Sequence, residues 1–130
     1  MKGIITISLL LLSTVLHAAE VEILKVELLE QGPQTWRADV TLRHADTGWE
    51  HYADGWRVVT PDDEVLGHRT LHHPHVNEQP FTRSLSGITI SQDISQVIVE
   101  AHDKVHGWSP DRVTVDLTQS TGDRYRLERR

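Results

Sequence analysis

The chain contains no cysteine. Disulfides, thiolate ligands and thiol nucleophiles are therefore excluded, and any metal site must use nitrogen and oxygen donors. Met1 is the single methionine, so no methionine-rich site for soft copper(I) exists. Positive charge is also in deficit. Thirteen Lys and Arg face nineteen Asp and Glu, for a net charge of −6. Such a surface repels phosphate backbones and argues against nucleic acid as a partner. Long apolar runs are missing too. The longest uncharged stretch near the start, Ile4 to Leu16, falls short of the roughly 20 residues that a membrane span needs.

What is present at the start reads as a secretory leader. Lys2 gives one positive charge, the uncharged run follows, and Ala18-Ala19 supplies small residues before Glu20. Cleavage is expected before Ala19 or Glu20, so residues 1–19 form the signal peptide. No cysteine follows the run, so it offers no site for lipidation. Cleavage removes one lysine and no acid, which takes the net charge from −6 to −7. About 110 residues remain, enough for one domain with its own core. The protein is expected in the periplasm, with no membrane span after cleavage.

Beyond the leader, two-residue alternation dominates and no stretch holds a helical period. Strands are expected at Val21–Leu28, Trp36–Arg43, Asp54–Thr60, Glu64–Leu71, Pro80–Ile90, Gln96–His102 and Arg112–Leu117. The first shifts phase between Ile23 and Leu24, which suggests a bulge, and Gly87 suggests another in the fifth. Gln31-Gly32-Pro33 reads as the first turn. Seven short strands separated by turns predict an all-β, immunoglobulin-like antiparallel sandwich over residues 20–118. Its core should hold Trp36, Val40, Leu42, Trp56, Val58, Leu85, Val97, Val99, Val113 and Val115. Residues 119–130, rich in arginine, read as a flexible, solvated tail.

Eight histidines lie beyond the leader. In a sandwich with antiparallel successive strands, alternate loops share a pole. His44, His51, His72, His73, His75, His102 and His106 all fall at one pole, and His68 alone sits within a strand. Trp49, Tyr52 and Trp108 join them and read as aromatic lids on the core. His44 continues the inward face of the second strand and reads as a hydrogen-bonded core histidine as readily as a member of an active pole, outside the ligand pool. Arg83, in phase with Phe81 and Leu85, reads as a partly buried arginine paired with an acid. In His73-Pro74-His75 the proline stiffens an extended segment, so residues i and i+2 should project together. His102 and His106 flank a tight return at Gly107. These four are the expected ligand pool for one Cu(II) or Zn(II) ion, with His51, Glu78 and Asp103 in reserve. Affinity should fall as pH drops through about 6.5, because neutral imidazole is the ligating form.

The segments Trp49 to Trp56, His72 to Leu85 and Ala101 to Trp108 resemble a group of small exported bacterial proteins of unassigned function. The resemblance covers nearly all of the chain beyond the leader and implies a similar sandwich in the bacterial envelope, with no activity or cofactor attached. A looser analogy, to CopC-like periplasmic copper carriers, lacks the methionine-rich segment and the histidine near the start of the mature chain. Three functions compete. A periplasmic binding protein holding a divalent transition metal comes first. A metal-free module docking an envelope protein or a sugar at the same His/Trp-rich pole is the alternative. A metal-dependent enzyme comes third, since no serine sits in a nucleophile elbow and an enzyme would need an open coordination position.

Overall fold

The computed structural model describes residues 20–130, together with Gly3. The expected leader otherwise lies outside the described residues, and with it the cleavage position. Among the described residues no helix is long and apolar enough to cross a membrane.

The seven expected strands are present. They are β1 (Glu22–Gly32), β2 (Thr35–Arg43), β3 (Ala53–Val59), β4 (Val65–Thr70), β5 (Phe81–Thr89), β6 (Gln96–Asp103) and β7 (Gly107–Asp116). Two short ones follow, β8 (Thr121–Gly122) and β9 (Tyr125–Glu128). They form two sheets, ordered β5-β2-β1-β9-β8 and β4-β3-β6-β7. The architecture is an all-β sandwich, antiparallel except where β9 runs parallel to β1.

Alternation explains which side chains meet between the sheets. In β2, Trp36, Ala38, Val40 and Leu42 are buried, while Arg37 and Arg43 face water. β3 gives Trp56 and Val58, β6 gives Val97 and Val99, and β7 gives Val113 and Val115 to the same core. Leu85 is only half-buried at its margin. The phase shift in β1 is a register irregularity between Ile23 and Lys25. The β5 irregularity lies opposite Trp36 and Ala38, where Gly87 takes a φ of 72° that suits glycine.

Three expectations need correction. β1 runs on to Gly32, and the turn falls at Pro33-Gln34, with Gln34 at a φ of 55°. β7 begins at Gly107, well before Arg112. Pro110 disguised its first half, but β7 is an edge strand, where a missing N–H is tolerated. The C-terminal segment is no frayed end. β9 pairs with β1 from Val26↔Tyr125 to Leu29↔Glu128, burying Tyr125 and Leu127. Its arginines are anchored: Arg124 on Asp111, Arg126 on Glu27 and Arg129 on Glu30.

The sandwich delivers the expected pole. The end of β2 meets the starts of β1 and β5 (Glu22↔Arg43, Leu42↔Phe81), and the start of β3 meets the end of β6 (Ala53↔Asp103). The loops 44–52, 71–80 and 104–106 therefore gather at one end.

Candidate metal site

At that end three side chains able to ligate a metal converge. Suitable nitrogen or oxygen atoms of His44, His51 and Asp103 lie within 4.8 Å of one another. Each residue is delivered by a different local device. His44 follows β2 on its inward side and is buried. His51 returns over it through a tight turn, with Gly48 at a φ of 146° and His51 N–H donating to the Gly48 carbonyl. Asp103 ends β6 on the inward side and is 1% exposed. The imidazoles crowd around the carboxylate, the His44 and His51 rings edge-on at 4.8 Å and the His51 and His106 rings tilted at 5.0 Å.

Asp103 is held from several sides. Its Oδ1 accepts the N–H of Val105 at 2.7 Å and of His106 at 2.6 Å. Its Oδ2 lies 3.0 Å from His106 Nδ1 and 3.5 Å from His44 Nε2. Burial pushes this carboxyl upward. The hydrogen bonds from the His106 and Val105 N–H groups and from the His106 ring outweigh it, so the pKa lies below the ordinary value. The site therefore favours an anionic carboxylate facing imidazoles. His51 Nε2, 3.5 Å from Asp103 Oδ1, is buried and has no hydrogen-bond partner among the described residues. Buried polar atoms are normally paired, so an orphan nitrogen here calls for an explanation.

His44 is oriented from behind by a second carboxylate. Its Nδ1 meets Asp46 Oδ1 at 2.5 Å, and both side chains are 0% exposed. Asp46 also accepts the N–H of Ala53 at 3.0 Å and of His75 at 2.8 Å. A proton on Nδ1 leaves the lone pair on Nε2, which lies beside Asp103, and a carboxylate that accepts from the far ring nitrogen is what commonly orients a metal-bound histidine.

The expected pool of His73, His75, His102 and His106 is not brought together. The rings of His73 and His75 lie 4.7 Å apart, but His75 turns inward and stacks on Phe81 at 4.0 Å. Its Nε2 meets the Arg83 guanidinium at 2.8 Å, and a cation there opposes a bound metal ion. Burial is the leading reason its pKa lies below the ordinary imidazole value, with Arg83 and His73 reinforcing it. His102 and Asp103 are successive strand residues and point to opposite faces. His102 therefore leaves the pole for the outer face of its sheet, where its Nδ1 meets Asp54 at 2.5 Å and its ring abuts Trp108. His106 does reach the pole, through Asp103. Of the reserves, His51 and Asp103 become central, whereas Glu78 is exposed and 3.7 Å from Arg83. Arg83 thus has an acidic partner as expected.

Trp49 and Trp108 are not lids. Trp49 is 62% exposed, and Trp108 lies on the outer sheet face under the Arg57 guanidinium, 3.7 Å from its ring. Sequence reasoning left His44 out of the ligand pool and its reserves and passed over Asp46. The spacing His44-Ala45-Asp46 directly after an inward strand position was the available signal.

No protein family matches the chain, and no solved structure matches it. It is similar to a protein of Halomicrobium mukohataei described as "Putative lipoprotein", 37% identical over 101 residues. The match covers 78% of this chain and 49% of that protein, so the chain spans about half the length of this relative.

Proposed function

We propose that this is an exported protein of the periplasm that holds one divalent transition ion at the pole of its sandwich. His44 Nε2, His51 Nε2 and an Asp103 oxygen are the ligands, and His106 is the adjacent fourth donor. The leader composition supports export, and the relative's description as a lipoprotein agrees with it. The observation that carries the metal reading is the buried, unpartnered His51 Nε2 facing an anionic carboxylate. Donors bound at about 2.1 Å around a tetrahedral ion stand about 3.4 Å apart. His44 Nε2 and His51 Nε2 each stand 3.5 Å from one or other oxygen of Asp103. Imidazoles with one carboxylate suit Zn(II) or Cu(II) rather than calcium or magnesium, which prefer all-oxygen sites.

A bound ion would take the orphan nitrogen's lone pair and neutralise the buried carboxylate. His106 would exchange its contact with Asp103 for the ion or leave that position to water. The test is elemental analysis of protein purified from the periplasm without added metal. Near-stoichiometric zinc or copper is expected. Metal-free protein that also fails to take up either ion would favour the alternative, a docking module for a protein or sugar. The exposed Trp49 and Val105 at this pole are what favour that second reading.

A further inference from the structure

The loop between β4 and β5 contributes no ligand to the trio, yet it is bonded to the first ligand from two directions. Asp46 touches His44 through one oxygen and accepts the His75 N–H through the other. Gln79 closes a second link: its Oε1 accepts the His44 N–H at 3.0 Å, and its Nε2 donates to the His75 carbonyl at 2.9 Å. His44, Asp46 and His75 are all buried. The exposed side of the same loop carries His72, His73 and Val76.

We infer that Asp46 is a positioning residue that couples metal occupancy to the order of the 71–80 loop. This rests on the metal reading of the His44–His51–Asp103 site. The physical link is the tautomer of His44. An ion on Nε2 keeps the ring proton on Nδ1 and makes it a stronger donor to Asp46. Without an ion, the proton can move to Nε2 and face Asp103. Nδ1 then presents a lone pair to Asp46, and the carboxylate loses the donor that fixes it. A loosened Asp46 loosens the His75 N–H and the loop with it. Coupling is reciprocal, so whatever loosens the loop weakens metal binding by the same factor that metal tightens the loop. The outer side of the loop thereby distinguishes loaded from empty protein.

The test is amide hydrogen exchange on the exported protein, stripped with chelator and then saturated with Zn(II), in wild type, Asp46→Asn and Gln79→Ala. In wild type, exchange at the His44 and His75 amides should slow about tenfold or more with Zn(II). Asp46→Asn should lose that response and bind Zn(II) about 10- to 100-fold more weakly. Gln79→Ala removes only the second link, keeps the inference testable if Asp46→Asn does not fold, and should lose affinity and zinc-induced protection by matching factors. Wild type that binds Zn(II) with unchanged exchange at His75 overturns the coupling and leaves the metal reading standing. Wild type that binds no Zn(II) overturns both.

Discussion

Two aspartate–histidine contacts of equal length stand in different surroundings, one inside this sandwich and one on its outer face. Asp46 meets His44 at 2.5 Å between the sheets, with both side chains 0% exposed. Asp54 meets His102 at 2.5 Å on the outer face, with side chains 29% and 31% exposed. Distance does not separate them, but surroundings do. Around Asp46 the protein itself supplies further donors, Ala53 N–H and His75 N–H. Asp54 and His102 border a shallow outer hollow with Gly55, His68, Thr70 and Trp108, where solvent screens the pair. The buried pair orients the His44 ring that the proposed metal site uses, whereas the outer pair lies on a solvent-facing surface.

The largest effect should come from breaking the buried member. Asp46→Ala leaves the His44 ring, Ala53 N–H and His75 N–H without their acceptor. Unsatisfied buried groups cost about 1–3 kcal/mol each, so chemical denaturation should show a loss of about 3–5 kcal/mol. Near-wild-type stability would mean that water enters freely and that the contrast in burial is unimportant. Gln79→Ala removes two part-buried hydrogen bonds and, at a net contribution of about 0.5–1.5 kcal/mol each, should cost about 1–3 kcal/mol by the same measurement.

The pH dependence of stability sharpens the comparison from a neighbouring residue. His75 has a folded-state pKa below its ordinary value, chiefly because it is buried. The unfolded chain therefore takes up the proton first. The contribution of neutral His75 is complete above about pH 6.5 and is lost as pH falls from there through the lower folded value. One such group gives a slope of at most about 1.4 kcal/mol per pH unit. Replacing His75 with Phe, which preserves an aromatic surface against Phe81, should flatten the acid side of the profile. An unchanged slope would assign it to other groups. The smallest effect belongs to the outer pair: Asp54→Asn should change stability by less than about 1 kcal/mol in denaturation.

Much of this arrangement was legible in the residues. Period-two alternation located all seven main strands, and the phase break after Ile23 located a real irregularity. Strand parity assigned seven histidines to one pole, where His44, His51 and His106 do meet around Asp103. Parity within a strand then undid part of the expectation. His102 and Asp103 must face opposite ways, so a ligand pair built on His102 and His106 was divided by the pleat itself. The His73-Pro74-His75 pair failed for a tertiary reason, the pull of Phe81 and Arg83 on His75, which local stiffness does not reveal. β9 was missed because four residues with two apolar ones give little periodic signal, and its parallel pairing with β1 is a long-range event. Asp46 was missed because a loop carboxylate ordinarily faces solvent.

The most direct test of the central claim is a calorimetric titration of Zn(II) and Cu(II) into chelator-stripped protein, in wild type, His51→Ala and His102→Ala. His51 supplies the orphan nitrogen at the buried site, while His102 belongs to the outer face. Wild type should bind one ion more tightly than about 10 μM, beyond what a surface histidine pair supplies. His51→Ala should lose about 100-fold or more in affinity, and His102→Ala should match wild type. Equal losses in both variants, a loss confined to His102→Ala, or no binding tighter than about 10 μM by wild type would contradict the assignment of the metal to His44, His51 and Asp103.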